Sequence, residues 1–114
     1  MKFVMFVCGD PEVTDEDEAA APDLDAWFAY ARGKGAHLHS VRLEGPSDAV
    51  TLRVRGGEQL VTDGPFTETR EWIAGFAILE CASREDAVDI ALRNPMAYAG
   101  RLELRPVHSS TLDD

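Results

Sequence analysis

The sequence predicts a single α+β domain with the order strand, helix, strand, hairpin, strand, helix, strand. Three observations carry this. "KFVMFVC" and "WIAGFAILEC" are apolar at odd and even positions alike, the pattern of central strands covered on both sides. "VTLRVR" alternates, and Gly56-Gly57 signals a turn into the returning "EQLVT", as in a two-stranded hairpin. "LDAWFAYARGKG" and "REDAVDIALRNP" place apolar residues three and four apart and end in helix-stopping residues.

Taken in order, residues 2–8 form the first strand. Residues 9–22 combine Gly, Pro and acids, which predicts a solvated loop. The acidic run at 15–18 lacks the ligand spacing of a calcium loop. A helix is predicted from about Pro22 to Lys34, with Pro22 or Asp23 at its start. Leu24, Trp27, Phe28 and Ala31 form its apolar face, and Gly33 and Gly35 end it. Residues 36–43 are a strand and 45–48 a turn. The hairpin pairs 50–55 with 58–62. Its Val50, Leu52 and Val54 point one way, and Thr51, Arg53 and Arg55 the other. Strand 72–81 follows. Ser83 caps the next helix, with Asp86 in the reciprocal position. Ala87, Ile90 and Ala91 form its buried stripe, and Asn94-Pro95 stops it. Residues 100–107 alternate and close the sheet. Residues 1–108 then make one domain, and 109–114 a flexible tail.

With the hairpin set aside, this order is β-α-β-β-α-β, the ferredoxin-like arrangement. Strands 2–8 and 72–81 are expected side by side and parallel at the sheet centre. That would bring Cys8 and Cys81 to the same edge.

Composition narrows the function. The chain has 114 residues, enough to bury a core without metal or disulfide staples. Eleven Lys and Arg face 21 Asp and Glu, for a net charge of −10, and no basic residue lies between Lys2 and Arg32. Binding to phosphate backbones draws on Lys and Arg, so nucleic acids and anionic membranes are poor partners. No apolar run approaches the roughly 20 residues that span a bilayer. The N-terminus lacks the long apolar region and small-residue cleavage site of a signal peptide. A cytoplasmic protein with two reduced thiols is expected. The cysteines fit no zinc spacing, and there is no phosphate loop, nucleophile elbow or H-E-x-x-H. No metal and no cofactor are predicted.

The stretch "VTDGPFTETREW", residues 61–72, concentrates the candidate chemistry. Asp63 has two compatible roles. Its carboxylate can cap the Gly64-Pro65 turn by accepting backbone N–H groups, or it can serve as a base at the mouth of a cleft. Gly64 and Pro65 set the turn and are themselves ligand-binding candidates, and Phe66 is placed beneath it. Glu68, Arg70 and Glu71 suit local ion pairs, and Arg70 and Glu71 are also ligand-binding candidates. Arg53, on the polar hairpin face, either balances acids or holds an anionic ligand. His37 and His39, at i and i+2, share one face of a regular strand, and histidine ordinarily titrates near neutrality. They are therefore acid–base candidates. A metal reading would need a third ligand, Asp63 or His108, brought in by the fold.

The segment from Val61 to Pro95 resembles the signature of the YCII-related family, in the branch that carries Asp-Gly-Pro-Phe (DGPF). Val61, Thr62, Asp63, Gly64, Pro65, Phe66, Glu68, Thr69 and Glu71 match the motif, and Arg70 stands where Lys is usual. The residues before and after it, "TLRVRGGEQLVTDGPF" and "GRLELRPV", also resemble the family pattern. Ala74-Gly75-Phe76-Ala77 departs from a frequent Gly-Gly-Tyr-Tyr and so lacks its hydroxyls. The resemblance implies a ferredoxin-like fold that pairs into a dimeric α+β barrel, a homodimer whose sheets face each other. It implies no particular reaction. Members often look like companions of extracytoplasmic-function sigma factors. The expectation is an uncharacterised small-molecule-binding protein, with acid–base chemistry one option. A regulatory module that acts through a sigma factor is the alternative.

Overall fold

The computed structural model describes residues 1–64 and 72–109. It is a mixed α+β structure. Its strands are β1 (Lys2–Cys8), β2 (His37–Arg42), β3 (Val50–Arg55), β4 (Glu58–Asp63), β5 (Ile73–Glu80) and β6 (Arg101–Pro106). Its four α-helices among the described residues are α1 (Asp15–Ala19), α2 (Leu24–Gly33), α3 (Arg84–Leu92) and α4 (Met96–Ala99).

Local signals account for most boundaries. Asp23 caps α2, its carboxylate accepting from the Ala26 N–H at 3.1 Å. The helix ends in a Schellman motif: Gly35 N–H donates to the Arg32 carbonyl and Ala36 N–H to the Ala31 carbonyl, both at 2.9 Å. Gly35 takes φ +67°, which a side chain would resist. Ser83 caps α3 by accepting from the Asp86 N–H at 3.1 Å. Beyond Asn94-Pro95 the chain makes the short helix α4, with the Asn94 side chain accepting from the Met96 N–H at 2.8 Å. One local boundary departs from expectation. Within 9–22 the acidic run is α1, not loop. Thr14 and Asp17 form a reciprocal capping box at 3.1 and 3.0 Å, and the acids occupy the end that the helix dipole favours.

The main sheet has the order β2-β5-β1-β6, and every neighbouring pair is antiparallel. The expectation of parallel β1 and β5 is corrected here. The α2 crossover returns β2 in the direction of β1 and leaves a gap one strand wide. β5 fills that gap running the other way, hydrogen-bonded on both edges. The cysteines therefore part. Cys8 lies opposite Ile73, whereas the Cys81 N–H donates to the Met1 carbonyl at the other end of β1. Burial, first among the causes, pushes both thiols up, away from thiolate reactivity.

Helices α2 and α3 cover one face of this sheet. Phe3, Met5, Ala77 and Leu79 pack there against Trp27, Ala31, Ala87 and Ile90. Polar bonds tie the two helices. The Trp27 indole N–H donates to the Ile90 carbonyl at 2.8 Å, and the Tyr30 hydroxyl donates to Asp89 at 2.6 Å. The Tyr30 bond leads the causes that hold Asp89 below its ordinary value. β3 and β4 form a separate two-stranded sheet that makes no extensive contact with another element among the described residues. Gly56 and Gly57 turn it, both at positive φ (57° and 80°), as a tight hairpin requires. No helix among the described residues is long and apolar enough to cross a membrane.

Candidate functional site

The second face of the main sheet frames the site. On β1 and β5 the residues that alternate with the core are apolar as well. Val4 lies opposite Ile78, and Phe6 opposite Phe76. None of the four belongs to the helix-packed core, and all are half-buried. The sequence expected these strands to be covered on both sides. Among the described residues the helices cover one side and leave the other half-buried. On β6, Arg105 and Glu103 flank Val4 and Phe6, giving this face a charged margin.

At one end the face deepens into an open groove of about 960 Å³, lined by Lys2, Val4, His39, Ile78 and His108 among others. Its floor is apolar and its rim largely basic. The acid there, Glu80, accepts from the N-terminal ammonium at 2.6 Å. Strand pairing assembles this rim from distant parts of the chain: the Val107 N–H donates to the Lys2 carbonyl at 2.9 Å, which sets His108 beside the start of β1. Such a groove suits a small molecule with an apolar body and an acidic group.

The two histidines do not share it. An irregularity in the β2–β5 register lies between them, so that His37 pairs with Leu79 and His39 with the adjacent Ile78. A bulge of this kind reverses the ordinary i, i+2 relation. His39 joins the groove, while His37 goes to the helix side. Its ring meets Phe28 edge-on at 5.2 Å and Trp27 at 6.0 Å, and its Nε2 lies 2.6 Å from Ser40 Oγ.

Burial, reinforced by the Arg32 and His39 charges, lowers the His37 pKa below the ordinary histidine value. The unfolded chain then takes up its proton at higher pH than the folded one. This contribution to stability is intact above about pH 6.5 and is lost as pH falls through the folded pKa. We expect His37→Asn to flatten the fall in urea midpoint between pH 7.5 and 5. A wild-type His37 that titrates at or above the ordinary value by NMR would overturn this.

The remaining candidates lie elsewhere. Asp63 is exposed at the end of β4, opposite Val50. The Gly64 N–H, one of the donors that the capping role needs, goes to the Ala49 carbonyl at 2.7 Å. Pro65 carries no N–H, and the turn's further donors fall outside the described residues. The Gly64 carbonyl accepts from the Thr51 hydroxyl at 2.8 Å, closing the hairpin root. Arg53 is exposed opposite Leu60 on the other hairpin face. Pro65, Phe66, Glu68, Arg70 and Glu71 lie outside the described residues. The groove that holds His39 is lined by neither Asp63 nor Arg53. The hairpin leaves the sheet from the far end of β2, where the Leu43 N–H donates to the Ala74 carbonyl.

Sequence reasoning missed Lys2, Val4, Ile78 and much of the role of His108. The available signal was the second apolar face of β1 and β5. Among the described residues no group of three His, Cys, Asp or Glu is gathered as metal ligands would be.

Comparison with known proteins identifies the family. The model of the YCII-related domain matches residues 1–110. A similar chain is an uncharacterised protein of Rhizobium meliloti (strain 1021), 36% identical over 114 residues, covering 94% of this chain and 92% of that one. With its family model matched over nearly all its length, the chain belongs to the YCII-related family.

Proposed function

We propose that the chain is a homodimeric, ferredoxin-like protein of the DGPF branch that binds a small, apolar acid on the open sheet face. The observation that carries this reading is the groove of about 960 Å³ with an apolar floor and a basic rim. With β3–β4 set aside, the order β2-β5-β1-β6 supports the ferredoxin-like assignment. The half-buried row Val4, Phe6, Phe76 and Ile78 supports a second copy packed against this sheet face, as in a dimeric α+β barrel. Two free thiols support a cytoplasmic location. In this reading Lys2 and His39 hold the acidic group. The imidazole of His39 is the group placed to exchange a proton with a bound molecule. The turn at Asp63 and Gly64 rims the cleft that the paired sheets enclose.

The test is an NMR titration with short aliphatic and aromatic monocarboxylates, on wild type, His39→Ala and Asp63→Asn. Shifts should centre on Lys2, Val4, His39 and Ile78. His39→Ala should weaken binding about tenfold, the scale of one charge-assisted hydrogen bond. Shifts scattered over the surface, or unchanged affinity in both variants, would sink the reading. A protein partner, such as a sigma factor, would then be sought.

A further inference from the structure

Among the described residues, the β3–β4 hairpin has an apolar face that is largely exposed. Val50, Leu52 and Val54 point the same way as Val61, and they are 56%, 69%, 60% and 66% exposed. Isolated two-stranded hairpins are marginal in water, and contiguous exposed apolar surface marks a contact site. The same chain carries a second apolar surface, half-buried and outside the helix-packed core, the sheet face of Val4, Phe6, Phe76 and Ile78. The charges are complementary. The hairpin's apolar face is bounded at its root by the carboxylate of Asp63, opposite Val50. The groove end of the sheet face is bounded by Lys2, His39 and His108, and its one acid, Glu80, is held by the N-terminal ammonium. A chain with a net charge of −10 suits neither an anionic membrane nor a nucleic acid as the cover.

We infer that the hairpin is an exchanged arm: in the dimer it lies across the sheet face of the second copy. Leu52, Val54 and Val61 pack on that copy's Phe76 and Ile78, and the arm walls the groove that Lys2 and His39 line. A twofold axis satisfies both arms at once and closes the assembly at two, because each chain supplies one arm and one face. The binding groove is then complete only between copies, with Asp63 delivered toward the basic rim from the neighbouring chain. This rests on the dimer reading above and goes beyond it by naming what seals the groove.

The experiment is sedimentation velocity on the full chain, comparing wild type, Leu52→Asp and Thr62→Asp. The last places the same carboxylate on the opposite face of the arm. Wild type should sediment as a dimer. Leu52→Asp should raise the dimer dissociation constant about 100-fold or more, since symmetry applies the change twice. Thr62→Asp should leave it nearly unchanged. Circular dichroism checks folding. In a Cys8→Ser, Cys81→Ser background, Leu52→Cys on one chain should form a disulfide with Ile78→Cys on a differently tagged chain, whereas Thr62→Cys should not. This second measurement decides the matter if Leu52→Asp fails to fold. A dimer indifferent to Leu52→Asp, or without the Leu52–Ile78 cross-link, overturns the arm and leaves the sheet-faced dimer standing. A monomeric wild type overturns both.

Discussion

Replacing Trp27 by Ala should lower the unfolding free energy by about 3–5 kcal/mol, the range for deleting a large aromatic from a core. Trp27 is only 3% exposed and stands where α2, α3 and the sheet meet. It packs edge-on against Phe28 at 5.2 Å and His37 at 6.0 Å. Its indole N–H reaches the Ile90 carbonyl at 2.8 Å, across 63 residues of sequence. The Ile90 carbonyl also accepts from the Arg93 N–H, at 3.2 Å. Losing the indole therefore leaves it partly satisfied, and most of the effect comes from packing. Trp27→Phe keeps much of the volume and should cost only about 1–2 kcal/mol. Thermal unfolding should show a drop of roughly 12 °C or more for the alanine variant. Equal losses for Phe and Ala would mean that the hydrogen bond, not the packing, dominates.

Gly75→Ala should be the most disruptive single-methyl addition in the sheet. Gly75 is buried, opposite Arg42 on one side and Val7 on the other. A Cβ there would sit 2.4 Å from the Val41 carbonyl oxygen and 3.3 Å from the Arg42 Cα. Both are backbone atoms of β2 and cannot rotate away. The edge strand must part from β5, straining the bond from the Leu43 N–H to the Ala74 carbonyl, now 2.8 Å. Overpacking of this kind costs about 1–3 kcal/mol and sometimes more. The loss should be uneven. Amide exchange should accelerate in β2, around Val41 and Leu43, more than in β1, whose other edge is still held by β6. Because β2 carries His39, the groove should loosen as well. Native protection in β2, together with an unchanged denaturant midpoint, would show that the sheet absorbs the methyl.

Much of this protein is legible from sequence, and for a common reason. Helix α2 announces itself through Trp27, Phe28 and Ala31 on one side and Asp23 and Gly35 at its ends. Ser83 and Asp86 do the same for α3, and Gly56-Gly57 for the hairpin. These are signals between residues a few positions apart. Helix α1 was missed because the charge run outweighed a capping box, Thr14 with Asp17, that is equally local. The family is likewise written in a contiguous stretch around Asp63. The candidate groove is different. Lys2, His39, Ile78 and His108 are unrelated in sequence, and only the pairing of β1 with both β5 and β6, and of β2 with β5, gathers them. The register irregularity that sends His37 to the helices and His39 to the groove arises between two strands, so no periodicity within β2 reveals it. The antiparallel setting of β5 separates Cys8 from Cys81 for the same reason. Short-range hydrogen bonding and side-chain periodicity determine which segments become helix or strand. Which faces are covered, and which residues meet, depends on contacts that exist only once the whole chain has paired.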